Sequence, residues 1–336
     1  MTAARRTTDA ADPAPIRIGP SVFAWGQRTY VMGILNITPD SFSGDGLLEA
    51  GDPVERAVAT ARQMVADGAD LLDIGGESTR PGHAPVEAIE EIRRVIPVIA
   101  AVAAALPDTP ISVDTAKPDV AEAALAAGAH LLNDVWGTGP EIREMAAVAA
   151  AAAVPLIVMH NRQEARYERN VVAEVVADLG AAMDRAIAAG VPESNLIVDP
   201  GIGFGKTADH NVTVLCHLGA LSTLGRPVLL GTSRKSTLGR ILDLPVEERL
   251  EATLATTALG IAAGVDIVRV HDVAPNVRVA RVSDAIVRGH WRDHSDRSVR
   301  CATASSCATC ASAVDMATTS TSSPRRSRSR STWNWC

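Results

Sequence analysis

One unit of sequence recurs along most of the chain and limits its fold more than any other feature. In each copy an Ala-rich amphipathic stretch ends in glycine, a short aliphatic stretch follows, and a polar residue comes last. Glycine suits the left-handed turn that closes a helix, and a short aliphatic run is typical of a buried strand. The copies therefore predict the helix-to-strand transitions of βαβ units. They read DGADLLDIGG (67–76), AGAHLLNDV (127–135), AGVPESNLIVDPG (189–201) and AGVDIVRVHD (263–272).

Eight strands and eight helices follow from this pattern. The predicted strands are Tyr30–Asn36, Leu71–Gly75, Ile111–Asp114, Leu131–Asp134, Pro155–Met159, Leu196–Asp199, Val228–Thr232 and Ile267–Val270. The predicted helices span 52–67, 86–106, 117–126, 141–151, 171–189, 208–222, 247–263 and 273–288. Eight βα units in succession predict an α/β fold of the (β/α)8 barrel type in a single domain. An open doubly wound sheet uses the same units, but the first βα turn lacks the G-x-G-x-x-G phosphate loop of its dinucleotide-binding form.

Composition divides the chain into three parts. Residues 1–14 are small, polar and interrupted by proline, so we expect them to be disordered. Residues 15–292 form the globular body, in which the apolar runs Ile16–Ile18 and Ser21–Ala24 predict a hairpin that closes the floor of the barrel. Residues 293–336 are rich in Ser, Thr, Cys and Arg and predict a disordered low-complexity tail. Alternatives for this tail are a zinc site at Cys301, Cys307, Cys310 and His294, nucleic-acid contact by its Ser-Arg run, and a shifted reading frame.

Charge and hydropathy exclude several classes of function. The net charge of −7 argues against a general nucleic-acid binder, because such proteins cluster Lys and Arg against phosphates. The longest apolar run, 145–159, is shorter than the ~20 residues that cross a bilayer, so no membrane segment is expected. Of the cysteines, Cys216 stands alone and the others lie beyond residue 300, and the N-terminus lacks a secretory signal. We therefore expect a reduced, cytoplasmic setting.

Polar residues stand at the carboxyl ends of the predicted strands, where a barrel of this type binds its ligands. A single such residue is usually a helix cap or a turn former, but eight strand ends that meet on one rim favour a ligand site. After the seventh strand, GTSRKS (231–236) also presents two cations at a helix start, which suits an anion. The strand-end residues are Asn36, Asp73, Asp114, Asn133, Asp134, Met159, His160, Asp199, Thr232 to Ser236, Arg269 and His271.

The residue types on this rim indicate two kinds of ligand group. Asp114, Asp199 and Asn133 suit the edge of a planar heterocycle rich in N–H donors, such as an amino-pyrimidinone. Arg269 and His271 lie two residues apart on the last strand and suit an anion such as phosphate. Metal ligation by Asp114 and Asp199 is the alternative, and the lack of a His or Cys cluster beside them disfavours it.

Seven motifs, in this order and spacing, resemble those of the dihydropteroate synthase family. The resemblance covers residues 16 to 290 and rests on ILNITPDSFSGDG, DIGGESTRPG, ISVDT, LLNDV, VDPGIGFGK, SRKS and VRVHD. It implies a (β/α)8 barrel that joins (7,8-dihydropterin-6-yl)methyl diphosphate to 4-aminobenzoate, giving dihydropteroate and pyrophosphate in folate biosynthesis. It also implies competition by sulfonamides, a Mg²⁺ cofactor and a homodimer.

The resemblance implies a role for each residue that stands at a matched motif position. The residues expected to bind the pterin are Asp114, Asn133, Asp199 and Lys235, flanked by Met159, Phe204 and Gly231. The diphosphate would be held by Thr79, Arg269 and His271, and Mg²⁺ by Asn36. The aminobenzoate site would comprise Phe42, Arg80, Pro81 and Ser236 on closing loops. Asp114, Asp199, Lys235, Arg269 and His271 would carry the catalysis.

The implied reaction needs no Ser, Cys or His nucleophile. Diphosphate would leave first, helped by Mg²⁺, Arg269 and His271, and the carboxylates of Asp114 and Asp199 would stabilise the pterin cation before the arylamine attacks. A non-catalytic paralogue with an altered second loop is one alternative, disfavoured because TRPG (79–82) is intact. A pterin-binding methyltransferase is the other, and it would have no use for the diphosphate and aminobenzoate loops.

Overall fold

The structure, a computed structural model, describes residues 12–37, 52–77 and 86–289. Within these ranges the strands are β1 (Ile16–Ile18), β2 (Ser21–Phe23), β3 (Tyr30–Asn36), β4 (Leu71–Gly75), β5 (Ile111–Asp114), β6 (Leu131–Asp134), β7 (Leu156–Met159), β8 (Leu196–Asp199), β9 (Leu229–Leu230) and β10 (Ile267–Val270). The α-helices are α1 (Pro53–Ala66), α2 (Ala88–Ala105), α3 (Pro118–Ala126), α4 (Ile142–Ala151), α5 (Val171–Ala188), α6 (Ala208–Cys216), α7 (Ser236–Leu242), α8 (Leu250–Ala262) and α9 (Val273–Arg288).

Strands β3 to β10 form one parallel sheet that closes on itself. The hydrogen-bonded order is β8-β7-β6-β5-β4-β3-β10-β9, so β8 and β9 stand at its two ends. A parallel bridge between Val198 and Val228 joins those ends, and the Val198 backbone N–H donates to the Pro227 carbonyl at 3.0 Å. The predicted (β/α)8 barrel is therefore confirmed, and the open doubly wound sheet is excluded.

The predicted elements agree with the observed ones except between β8 and α8. The predicted helix over 208–222 ends at Cys216 and gives way to a 3₁₀ segment, Leu218–Leu224, which closes on Gly225 at a φ of 65°. Strand β9 is only two residues long, shorter than predicted, and the helix start expected in GTSRKS is α7. The predicted helix over 247–263 begins at Leu250.

The inside of the barrel has an apolar lower layer. Strand residues alternate between the helices and the barrel axis, so every second residue of each strand faces inward. One buried cluster joins the first inward residue of the strands to the β1–β2 hairpin, which confirms that the hairpin closes the floor. Its members include Ile16, Ile18, Phe23, Trp25, Tyr30, Leu71, Leu131, Ile157, Ile197, Leu229 and Ile267.

The first barrel strand and the last helix are joined by a buried carboxylate. Asp284 on α9 accepts from the Thr29 backbone N–H at 2.7 Å, from the Thr29 hydroxyl at 2.9 Å and from Arg288 Nε at 2.8 Å. We expect Asp284→Ala to lower the free energy of unfolding by about 2–3 kcal/mol, because it leaves two buried donors and a cation without this acceptor. Urea denaturation measures the change.

The matched control for Asp284 is Arg281→Ala, since Arg281 lies on the same helix and is exposed. It should alter the unfolding free energy by no more than about 0.5 kcal/mol. Asp284→Asn, which keeps an acceptor but loses the charge, should fall between the two. Equal stability of the Asp284→Ala and Arg281→Ala variants would contradict this account of the joint.

The chain termini were predicted to be disordered, and residues 1–11 and 290–336 lie outside the described residues. The predicted boundaries at residues 14 and 292 therefore stay predictions. In the part of the chain that the structure describes, no helix has both the length and the apolar character required to cross a membrane.

Candidate active site

A polar layer lies directly above the apolar layer of the barrel. It consists of the residues two positions further along the strands, which alternation again directs inward. Its carboxylates are buried, with Asp73 at 0%, Asp199 at 5% and Asp114 at 8% exposure. The site therefore forms because every second strand residue faces inward, and these inward residues change from aliphatic to polar toward the carboxyl ends of the strands. The layer contains Asp73, Asp114, Asn133, Met159, Asp199, Gly231 and Arg269.

The guanidinium of Arg269 lies between two carboxylates from other strands. Its Nε donates to Asp73 Oδ2 and its Nη2 to Asp114 Oδ2, each at 2.5 Å. The side-chain amide of Asn133 donates to the same Asp73 oxygen at 3.2 Å. Four strands thus contribute to one hydrogen-bonded group at the barrel mouth. The sequence pattern identifies Asp73 only as a strand end, although its spacing of two from inward-facing Leu71 is a signal that assigns it to this layer.

Two buried oxygens in this group have open acceptor capacity. Oδ1 of Asp73 and Oδ1 of Asp114 make no hydrogen bond among the residues that the structure describes. Burial raises the pKa of Asp114, and the charge of Arg269 acts against that rise. Because a buried acceptor without a partner is costly, these oxygens suit the N–H donors of a bound heterocycle. A metal ion on Asp114 would lie close to the guanidinium of Arg269, and this like charge disfavours the alternative of metal ligation.

Asp199 is the third carboxylate of the mouth and belongs to the same electrostatic environment. Its Oδ1 accepts from the Gly201 backbone N–H at 2.7 Å. Burial raises its pKa to about 6, and the charges of Lys235 and Arg269 act against the rise. At Gly231 an added Cβ would lie 3.9 Å from both Arg269 Cβ and Asp199 Oδ2. The absence of a side chain at Gly231 leaves space beside the Asp199 carboxylate.

Lys235 and Phe204 form a cation–aromatic pair, and the charge of Lys235 acts on Asp199. The ammonium nitrogen of Lys235 lies 3.9 Å from the centroid of the Phe204 ring. Phe204 is carried by the loop after β8, and Lys235 immediately precedes α7. Gly203, at a φ of 86°, permits this approach, since a Cβ there would lie 3.1 Å from Lys235 Cδ. A flat ring bound between these side chains and Asp199 would have a cationic and an anionic neighbour.

The surroundings of His271 favour its neutral form. Burial and the charges of Arg269 and Arg234 lower its pKa to about 3. Its Nδ1 lies 2.9 Å from the Ser233 hydroxyl, which also accepts from the His271 backbone N–H at 3.2 Å. A neutral imidazole can still donate one hydrogen bond to an anion. The positive charge at this end of the mouth therefore comes from Arg269 and its cationic neighbours.

The remaining predicted site residues lie at the edge of the mouth or outside the described residues. Asn36 ends β3 and is half-buried, and Ser236 is the exposed first residue of α7. Met159, which ends β7 at 4% exposure, belongs to the polar layer described above. An amide oxygen such as that of Asn36 fits Mg²⁺, which takes most of its ligands from substrate phosphates and water. The predicted residues Phe42, Thr79, Arg80 and Pro81 lie outside the described residues.

The raised pKa of Asp199 makes ligand affinity depend on pH. Its carboxylate must be charged to accept N–H donors at full strength, so acid weakens binding as the pH falls through about 6. Because the sequence resemblance implies a pterin ligand, we expect the Kd of 6-hydroxymethylpterin to rise about tenfold between pH 7 and pH 5. Titration of ligand fluorescence measures it. Asp199→Asn is the control and should bind weakly with a smaller slope, and a Kd that stays constant in the wild type would contradict the role of Asp199.

The fold and its polar mouth are those of a barrel with a ligand site, and comparison with known proteins gives its class, the pterin-binding enzymes. Residues 32–271 match the family model described as pterin binding enzyme. The chain is 48% identical over 274 residues to the dihydropteroate synthase of Clostridium beijerinckii, an alignment that covers 81% of this chain and 100% of that relative. The chain belongs to the dihydropteroate synthase family, as its seven motifs predicted.

Solved structures of relatives share the fold. The Xanthomonas albilineans dihydropteroate synthase with 4-aminobenzoic acid is 42% identical with a TM-score of 0.76, covering 82% of this chain and 98% of that one. The same enzyme in complex with 7,8-dihydropteroate is 40% identical with a TM-score of 0.73, covering 81% of this chain and 98% of that one. A Yersinia pestis dihydropteroate synthase with a sulfonamide drug is 36% identical with a TM-score of 0.75, covering 82% of this chain and 100% of that one.

Proposed function

We propose that this chain joins (7,8-dihydropterin-6-yl)methyl diphosphate to 4-aminobenzoate, giving 7,8-dihydropteroate and pyrophosphate in folate biosynthesis. The observation that carries the proposal is the buried carboxylate group around Arg269, in which Asp73 and Asp114 each keep an open acceptor oxygen. Family membership and the ligands of the Xanthomonas albilineans relative support the same reaction. Sulfonamides, which the Yersinia pestis relative binds, would compete with 4-aminobenzoate.

The pterin would lie flat in the polar layer. The carboxylates of Asp114 and Asp199 would accept its ring N–H donors, and the amide of Asn133 would complete the edge. Asp73 would hold Arg269 in place through its Oδ2, and its open Oδ1 would be a further acceptor for the ring. The flanking contacts would come from Met159, Phe204, Gly231 and Lys235.

The diphosphate would lie toward the last strand. Arg269 would supply charge to it and neutral His271 one hydrogen bond, with Thr79 as a further donor. Asn36 would be a ligand of Mg²⁺, which when bound would neutralise part of the diphosphate charge. These groups would bind the diphosphate more strongly as it departs than while it is still attached to the pterin, and such stronger binding in the transition state is what accelerates a reaction.

The reaction would begin with cleavage of the bond between the pterin methylene carbon and the diphosphate oxygen, whose electron pair stays on oxygen. The methylene cation is delocalised into the ring, and the nearby charges of Asp114 and Asp199 stabilise it. The 4-aminobenzoate nitrogen then forms the new C–N bond and loses a proton. Ser236, with Phe42, Arg80 and Pro81, would hold the aminobenzoate near the cation.

Pyrophosphate release with both substrates tests the function. The wild type should release pyrophosphate in proportion to dihydropteroate formed, and calorimetry should show binding of the pterin diphosphate with Mg²⁺ that Asp114→Ala loses. Binding without turnover would indicate a non-catalytic paralogue. Binding of methyltetrahydrofolate but not of pterin diphosphate would indicate the methyltransferase.

We also propose a homodimer in a reduced, cytoplasmic setting. The dimer is supported by the family and by exposed apolar residues on the packed helices α8 and α9, with Leu259 at 70%, Val282 at 61% and Ile286 at 78% exposure. Contiguous exposed apolar residues often mark protein interfaces. Sedimentation velocity of the wild type and of Ile286→Glu distinguishes a dimer from a monomer. The reduced setting is supported by the free, exposed Cys216.

A further inference from the structure

Lys206 is a half-buried cation beside the mouth that the proposed chemistry does not use. Its ammonium nitrogen lies 2.8 Å from His160 Nδ1, 3.0 Å from the Gly201 carbonyl and 3.1 Å from the Phe204 carbonyl. An ammonium has three N–H donors and no acceptor. The three contacts therefore match the three donors, and two of them hold the loop segment that ends in Phe204.

The contacts of both ring nitrogens of His160 determine which of them carries the proton. His160 is fully buried, and its Nε2 lies 3.1 Å from Asp178 Oδ2. Since Nδ1 accepts from Lys206, Nε2 carries the proton and donates to Asp178. Burial lowers the pKa of His160, in agreement with a neutral ring. Arg162 donates to the same Asp178 oxygen at 3.0 and 2.8 Å, so the chain of contacts ends on an ion pair with α5.

Two further contacts fasten the loop on either side of Phe204. The Tyr167 hydroxyl donates to the Gly205 carbonyl at 2.9 Å, and the Gly203 backbone N–H donates to Asn211 Oδ1 at 2.8 Å. Asn211 in turn donates to the Thr237 hydroxyl on α7 at 3.0 Å. The loop is thus attached to the framework next to Phe204, and Lys206 supplies its only charged attachment among these contacts.

We propose that Lys206 is a positioning residue for the pterin, whose ammonium holds residues 201–204 so that Phe204 and Lys235 keep their places beside the ring. The proposal rests on the proposed function, because it takes the ring to bind against Phe204 and Lys235. Its structural requirement is a charged Lys206. A neutral amine has two donors and one acceptor, and neutral His160 could satisfy that acceptor only by moving its proton away from Asp178.

The proposal has a consequence for alkaline pH. Burial lowers the pKa of Lys206 to about 7, so its charge is lost as the pH rises through about 7. The loop contacts then weaken, and pterin affinity should fall on the alkaline side. The groups that face Lys206 from the surrounding elements are neutral His160, the acids Asp178 and Asp199, which favour its charge, and the cations Arg162 and Lys235, which oppose it.

The experiment compares Lys206→Met, which has no donors, with Lys206→Arg, whose charge does not titrate in this range. The Kd of 6-hydroxymethylpterin and the two KM values from pyrophosphate release are measured between pH 7 and pH 9. Lys206→Met should raise the pterin Kd and KM about tenfold or more and leave the aminobenzoate KM unchanged, because charge-assisted hydrogen bonds are lost on the pterin side only. Lys206→Arg should restore most of the affinity and flatten the alkaline loss seen in the wild type.

The control is Arg240→Met, which removes an exposed cation from α7 and should match the wild type throughout. The proposal would be overturned if Lys206→Met bound the pterin with the same Kd as the wild type. It would also be overturned if Lys206→Arg lost as much pterin affinity at alkaline pH as the wild type does. Ionisation of the probe is common to all variants and cancels in that comparison. If Lys206→Met lacks a melting transition, the pH profile of Lys206→Arg decides alone. Weak pterin binding by Lys206→Met, together with a wild type that releases no pyrophosphate, would reject the proposed function and keep the positioning role.

Discussion

Asp199→Asn is expected to lower kcat by about 10²- to 10³-fold, the effect of removing one preorganised charge from a water-excluded site. The asparagine oxygen can still accept from the Gly201 backbone N–H, which Asp199 Oδ1 does now at 2.7 Å, so the loop should keep its place. The variant differs mainly in the charge that would stabilise the pterin cation. Pyrophosphate release with both substrates measures kcat, and release without 4-aminobenzoate isolates the first step.

Asp134 provides a matched control for this change. It also ends a strand and is buried, and burial raises the pKa of Asp134 to about 7. Its Oδ1 accepts from the Trp136 backbone N–H at 2.9 Å, and strand alternation turns it away from the inward-facing Asn133. Asp134→Asn should therefore stay within about threefold of wild-type kcat. Undiminished pyrophosphate release by Asp199→Asn without aminobenzoate would contradict the role of Asp199.

Arg269→Met is expected to lower the free energy of unfolding by about 3–5 kcal/mol at pH 8, because it leaves two buried carboxylates without their cation. Arg269 contacts Asp73 and Asp114 at 2.5 Å each, and Asp73 has no exposed surface. The variant should also lose pyrophosphate release. Urea denaturation followed by tryptophan fluorescence measures the stability.

The loss of stability in Arg269→Met should shrink in acid. Burial already raises the pKa of Asp114 in the native state above its unfolded value, and removal of the guanidinium raises it further. The native state then binds more protons than the unfolded state, so stability rises as the pH falls through that pKa. We expect a clearly smaller deficit at pH 5.5 than at pH 8, and Arg269→Met/Asp114→Asn should recover part of it at pH 8. The same deficit at both pH values would contradict the account.

Much of the fold was predictable from local pattern. The glycine-closed helices and short aliphatic strands predicted the eight barrel strands, and the hairpin of β1 and β2 was found where two apolar runs predicted it. The segment after α6 was less predictable, because the 3₁₀ turns of Leu218–Leu224 and the short β9 depend on how the chain returns to close the barrel. Local propensity is a weak guide where tertiary packing sets the path.

Which residues meet at the mouth was partly predictable from the sequence, because strands of a barrel end on one face. The partners of those residues were not. Arg269 pairs with Asp114 and Asp73, which are 155 and 196 residues away along the chain, and no spacing rule links positions so far apart. Likewise no spacing rule links Lys206 to His160, which is 46 residues away along the chain.

The sequence alone determined that the chain has eight βα units and that polar residues stand at the carboxyl ends of their strands. Both features depend on residues that are close together along the chain. The charge states had to await the folded molecule: neutral His271, and Asp199 with a pKa near neutrality at about 6. Desolvation and long-range Coulomb interaction set these values, and both depend on distances in space between atoms that the sequence leaves far apart.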